Sequence, residues 1–167
     1  MFIKSNSRKK KHKYKIGDVL IIKKDNQLYT YPPKAGVILL NKEKNKIVIV
    51  RNKYNNWKPK WGLPKGHKEG TEKIEECARR ELYEETGINI KINHNDPYIK
   101  VNNSTYFIYY CDDHILNNLT PTESKEIAEI KLVSVYDILY QYNINRELQI
   151  VINNKISSCV EKAKLFE

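Results

Sequence analysis

Between Gly66 and Ile88 the chain reads GHKEGTEKIEECARRELYEETGI, and this segment constrains the fold more than any other. Thr71 suits an N-cap, Glu72 and Glu75 would fall in the first turn, and Gly87 stands at the natural stop, so a helix is predicted over 71–86. With Ile74 as origin, one stripe of that helix holds positions 74, 77, 78, 81, 82 and 85. Its first turns deliver Ile74, Cys77 and Ala78, as a core requires, but its later turns deliver Glu81, Leu82 and Glu85, with Glu84 beside them. The opposite face carries Lys73, Glu76, Arg79, Arg80 and Tyr83 and reads as a wet surface. Three carboxylates gathered at one helix end repel one another, and burying them unpaired costs several kcal/mol. The helix macrodipole also disfavours anions at that end. A divalent cation removes both penalties. No His or Cys joins the cluster, so Mg²⁺ or Mn²⁺ suits it better than Zn²⁺. The competing reading is an exposed acidic face paired with Arg79 or Arg80.

The rest of the chain must bury that helix. Asp18–Lys23, Ala35–Leu40, Ile47–Val50, Ile88–Ile92, Ser104–Cys111 and Ile127–Val135 read as strands. Ala35–Leu40 is apolar throughout, as expected of a strand covered on both faces. Trp57, Pro59, Trp61 and Pro64 lie in a loop kept irregular by Gly62 and Gly66. A short helix is predicted around 135–142. Asn145 caps a last one, with Leu148, Val151, Ile152, Ile156, Cys159, Val160 and Ala163 on one face. One α/β domain over 18–167 follows, a mixed β-sheet with helices on both faces.

Charge separates the first residues from this body. The net charge is +10, and residues 1–17 contribute seven positive charges and no negative ones. That stretch reads either as a flexible, solvated tail or as a means of attracting polyanions. The three cysteines show no CxxC spacing, which fits core packing in a reduced cytoplasmic protein without a zinc site. No apolar run approaches the ~18 residues a membrane helix needs.

The segment from Gly66 to Ile88 also resembles the signature of the Nudix hydrolase family. That pattern is Gly, five residues, Glu, seven residues, then Arg-Glu-aliphatic-any-Glu-Glu-any-Gly-aliphatic. Here Gly66, Glu72, Arg80, Glu81, Leu82, Glu84, Glu85, Gly87 and Ile88 fill every defined position without a gap. The resemblance implies the family's α/β/α sandwich and metal-dependent cleavage of a phosphoanhydride. It implies that Glu81, Glu84 and Glu85 bind the metal, with the Gly66 carbonyl adding a ligand. It further implies that Arg80 orients a glutamate and that Glu72 braces the loop before the helix. A general base in this family comes from the motif or from a later loop. Glu126 matches that loop position best, as base and further metal ligand, with Glu123 and Glu129 as rivals. Leu132 stands where the family often has Trp.

For the substrate, Trp61-Gly62-Leu63-Pro64-Lys65-Gly66 resembles the corresponding stretch of mRNA-decapping enzymes and of dinucleoside- and diphosphoinositol-polyphosphate hydrolases. The resemblance implies a nucleotide or 5′-capped RNA substrate, leaning to capped RNA. Lys65 is the candidate for meeting a phosphate, and Trp57, Trp61 and Tyr106 are candidates for stacking a base or cap. Tyr106 has a packing reading as well, since the chain holds 12 tyrosines. The basic tail would then contact RNA phosphates. A Nudix-fold RNA-binding module without turnover is the alternative of another class.

Overall fold

The computed structural model describes residues 12–16, 19–24, 27–53, 60–122 and 126–165, and these fall into two units that divide after Pro33. In the first unit, β1 (His12–Ile16), β2 (Val19–Lys24) and β3 (Gln27–Tyr31) form an antiparallel meander in the order β1-β2-β3. The stretch read as a tail, residues 1–17, thus includes one of these strands. Residues 12–16 pair with β2 from Ile16↔Val19 to His12↔Lys23, and the second unit begins at Lys34. Residues 1–11, with most of the basic charge, lie outside the described residues.

The second unit is built on β4 (Lys34–Asn41). It runs parallel to β9 (Ser104–Cys111) over its whole length, from Lys34↔Ser104 to Asn41↔Cys111. On its other side, β7 (Lys65–His67) pairs antiparallel with residues 34–36, and β5 (Lys46–Asn52) meets it at Leu40↔Ile47. β10 (Ile127–Ser134) and the short β6 (Trp61–Gly62) pair with β5, while β8 (Tyr98–Val101) and β11 (Lys164–Leu165) flank β9. The sheet is mixed, as expected.

The period-two alternation of β4 sorts the core into two layers. Val37 and Leu39 face α1 (Ile74–Thr86), where they pack with Val48, Cys77, Ala78, Leu82 and Phe107. Ile38 and Leu40 face the other way, towards α4 (Arg146–Asn154) and α5 (Ile156–Lys162), among Ile47, Ile49, Ile108, Leu148, Val151 and Cys159. Ala35 and Val37–Leu40 are all fully buried, which explains why the strand between Lys34 and Asn41 has no polar positions to alternate. Two short helices, α2 (Asp113–Leu116) and α3 (Ile138–Gln141), complete the unit.

Three boundaries differ from expectation. α1 starts at Ile74 rather than Thr71, because the Glu76 carboxylate reaches back to the Lys73 amide at 2.7 Å and closes the first turn there. Glu72 is left outside the helix to act through its side chain. Ile88, Ile90 and Ile92 alternate and are buried but form no strand, so their pattern records packing rather than pairing. The last helix breaks at Lys155, whose φ of −133° is far from helical, although the Asn145 side chain caps its start from the Leu148 amide at 2.9 Å. None of the helices in the described residues is long and apolar enough to cross a membrane.

Close approach of β4 to the 61–67 segment depends on Gly36. A Cβ there would lie 2.1 Å from the Pro64 carbonyl oxygen and 2.6 Å from the Lys65 Cβ. Both obstacles are backbone or nearly so, and neither swings aside. Gly36→Ala is expected to destabilise the fold by about 1–3 kcal/mol, as overpacked cores do. Urea unfolding followed by circular dichroism measures it, and an unchanged midpoint refutes the close packing.

Candidate active site

The carboxylates singled out by the helix pattern gather in one place. Glu69, Arg80, Glu81, Glu84, Glu85, Glu126 and Ile127 line a depression of about 330 Å³. α1 delivers Glu81, Glu84 and Glu85 from its last two turns, and Glu126 arrives immediately before β10. Two sets of backbone bonds hold these elements together. The amides of Thr120 and Thr122 donate to the Thr86 and Glu84 carbonyls at 3.2 and 3.1 Å, and the Thr122 hydroxyl donates to the Tyr83 carbonyl at 2.9 Å. These donors satisfy carbonyls that a helix C-terminus leaves open. Gly87 completes the stop with φ of +78°, its amide bonded to the Tyr83 carbonyl at 2.8 Å. The Lys53 amide, just past the end of β5, bonds the Glu126 carbonyl at 2.7 Å and fixes that residue.

Arg80 organises the depression. Its guanidinium donates to Glu72 at 2.8 and 3.2 Å, to Glu81 at 2.8 Å, to Glu84 at 3.1 Å and to the His67 carbonyl at 3.0 Å. The hydrogen bonds from Arg80 hold Glu72 below the ordinary carboxylate range, and a further bond from the Glu69 amide to Glu72 pins the loop before the helix. Arg80 is thus no member of a wet face, because its fork of donors is spent on four partners.

Burial and like charge act against Glu81 and Glu85. Desolvation raises Glu81, although Arg80 opposes it. Glu85 is 6 % exposed, and burial, with the charges of Glu81 and Glu126 adding, pushes it up to about 8 despite a hydrogen bond from the Lys65 amide at 2.9 Å. Gly66 is the floor of this arrangement: a Cβ on it would lie 2.0–2.2 Å from the Glu81 carboxylate, so only glycine lets that group close over β7. Buried, mutually repelling oxygens beside the Gly66 carbonyl, which accepts only a long bond from the Cys77 thiol at 3.8 Å among its side-chain contacts, make a donor set suited to a hard divalent cation. As they stand, no three His, Cys, Asp or Glu side chains among the described residues are arranged to hold a metal ion. Arg80 engages oxygens of Glu81 and Glu84, and the Lys65 amide engages Glu85.

Of the rivals to Glu126, Glu129 does not line the depression. A register shift between Ile127 and Glu129 sets it opposite Arg51, and it pairs with Arg51 at 2.8 Å and Lys131 at 3.1 Å. Glu123 lies outside the described residues.

The stacking candidates fare differently from the carboxylates. Trp61 is only 7 % exposed: Arg51 and Lys131 lie 5.4 and 5.1 Å from its ring centre, and the edge of Tyr142 meets it at 5.7 Å. Tyr106 is fully buried, and its hydroxyl donates to Glu147 at 2.6 Å. Both rings are buried against these partners, and this burial speaks for packing over the stacking expected of Trp61 and Tyr106. Trp57 lies outside the described residues.

Lys65 lines a second depression of about 320 Å³ with Lys34, Lys60, Gly62, Asn145 and Glu85, among others, so the acidic and basic depressions share Glu85 as a wall. The Lys65 ammonium is itself paired with Glu147. Sequence reasoning missed Lys34, Glu69 and Glu147. Glu147 could not have been singled out, since an acid in the first turn of a helix is ordinary.

A family model described as the NUDIX domain matches residues 30–151. The phosphatase NudJ of Escherichia coli strain K12 is 29% identical over 125 residues, covering 71% of this chain and 79% of its own. Among solved structures, a MutT protein from Methanosarcina mazei Go1 superposes with a TM-score of 0.56 at 19% identity, covering 76% of this chain and 96% of that one. A C. elegans Ap4A hydrolase superposes at 0.51 with 17% identity, covering 79% and 94%. The signature from Gly66 to Ile88, the sheet that carries it and the family match over most of the chain agree: this protein belongs to the Nudix hydrolase family.

Proposed function

We propose that this chain hydrolyses the phosphoanhydride of a small nucleoside-polyphosphate substrate, a dinucleoside polyphosphate being the type compound, with Mg²⁺ or Mn²⁺ held by Glu81, Glu84, Glu85 and the Gly66 carbonyl. The observation that carries the reading is the meeting of an acidic and a lysine-lined depression at Glu85. A polyphosphate needs both, one for its reacting bond and one for its remaining charge. The bound cation supplies charge neutralisation on the phosphate oxygens. Arg80 keeps Glu81 and Glu84 turned inward, and the Lys65 amide does the same for Glu85. Glu126, exposed at the rim, is suited to take the proton from the attacking water, because Glu129 is committed to Arg51 and Lys131. The Ap4A hydrolase among the fold relatives is compatible with a substrate of this kind.

One observation favours a second reading, 5′-capped RNA: seven of the ten net positive charges belong to residues 1–17, a gradient suited to RNA phosphates. Incubation with Mg²⁺ or Mn²⁺ and diadenosine tetraphosphate, cap-labelled RNA and a diphosphoinositol phosphate separates the readings. Faster turnover of the dinucleotide is expected, and release of 7-methylguanosine diphosphate as the preferred reaction overturns the first reading. Removing residues 1–11 is expected to leave dinucleotide turnover within about twofold. A selective, salt-dependent loss on capped RNA would support the second reading.

Glu85→Gln is expected to lower hydrolysis by about a hundredfold or more. Its effect on stability in chelator has the opposite sign. Glu85 ionises near 8 when folded against an ordinary 4.5, so its contribution is intact below about 4.5 and is lost as pH rises through about 8. The metal-stripped parent should therefore melt lower at pH 8.5 than at pH 5, and Glu85→Gln should flatten that slope. A variant that keeps full activity, or a parent stabilised by rising pH through this group, contradicts the reading.

A further inference from the structure

Strand register places a polar cluster on the α4 face of the sheet, opposite the acidic depression. Gly36 lies between Lys65 on β7 and Tyr106 on β9, and the adjoining row holds Lys34 beside Ser104. Over these rows sits Glu147, two residues past the Asn145 cap of α4 and only 17 % exposed. It accepts from the Tyr106 hydroxyl at 2.6 Å, from the Ser104 hydroxyl at 3.0 Å and from the Lys65 ammonium. Burial alone would raise this carboxyl, but the bonds from Lys65 and Tyr106 hold it below its ordinary range.

Two of the three donors are uncharged groups on a central strand. They fix the carboxylate whether or not the lysine is there, so Glu147 is an anchor and Lys65 the group anchored. A free lysine side chain loses rotamer entropy when a ligand immobilises it, and an anchored one has already lost it. Lys34 strengthens the case. It is half-buried on the same wall, where burial and the Lys65 charge disfavour its ammonium and the Glu147 charge favours it. Without the carboxylate, two crowded ammonium groups repel, and the flexible one turns out to solvent.

We infer that Glu147 is a positioning residue, presenting the Lys65 ammonium, with Lys34 beside it, to a phosphoryl group of the substrate in the depression that ends at Glu85. This rests on the reading of that depression as part of the substrate site. Glu147 touches no reacting atom and acts through Lys65.

A double-mutant cycle tests it with inorganic tripolyphosphate as the probe, titrated calorimetrically in chelator. Glu147→Gln is expected to weaken tripolyphosphate binding about tenfold, and to weaken it no further in a Lys65→Met background. With the best substrate of the panel, KM should rise by a similar factor while kcat stays within about twofold. Unchanged or tighter binding by Glu147→Gln overturns the inference. So does an equal loss in the Lys65→Met background, which would make Glu147 act independently of the lysine, and so does a parent that binds no tripolyphosphate. If Glu147→Gln does not fold, Tyr106→Phe, which removes one hydrogen bond from the carboxylate, should give a smaller loss that also vanishes with Lys65→Met. The chelated titration reads the lysine wall even if no compound of the panel is hydrolysed, so the catalytic reading and this one fail separately.

Discussion

The guanidinium of Arg80 is the interaction on which the rest of the site depends. It bonds Glu72, the His67 carbonyl, Glu81 and Glu84 at once, so it ties the loop before α1 to the helix and to β7. Five donors in a rigid plane can do this, whereas a lysine at the same position could not. Removing the charge would leave Glu81 and Glu84 facing each other and Glu85 in a poorly hydrated pocket, with the loop untied from the helix. The acidic depression exists because one cation holds part of its charge while leaving Glu85 largely uncompensated.

Much of this was legible in the sequence, for a definite reason. A helix that places Glu81 and Glu85 where Leu or Val belongs breaks its own rule, and broken rules mark function. The same logic read β4 as doubly covered and Asn145 as a cap, and both agree with the structure. What could not be read were features that break no rule. Glu147 looks like any acid near a helix start, and Lys34 like any lysine before a strand. The aromatic candidates show the converse. Trp61 and Tyr106 have chemistry suited to stacking, but their burial is fixed by partners on other elements, the Glu147 carboxylate and the Arg51 and Lys131 side chains. Ile88–Ile92 shows the same limit in backbone terms: alternation reports which side chains are inside and is silent on whether a neighbouring strand exists.

The sheet separates two kinds of charge. On the α1 side carboxylates line an open depression; on the α4 side a largely buried carboxylate accepts from three donors. Lys65 belongs to both. Its backbone amide serves Glu85 and its side chain serves Glu147. This is possible because a strand presents main-chain donors in its plane and side chains out of it.

That double attachment makes the length of the segment entering β7 a fixed quantity. Since facing alternates with every residue along a strand, adding or deleting a single position between Gly62 and Lys65 would turn the ammonium towards the wrong layer and offer the adjacent residue's amide to Glu85. Natural variation in this chain's lineage should therefore tolerate changes of residue type in that stretch far more readily than changes of length.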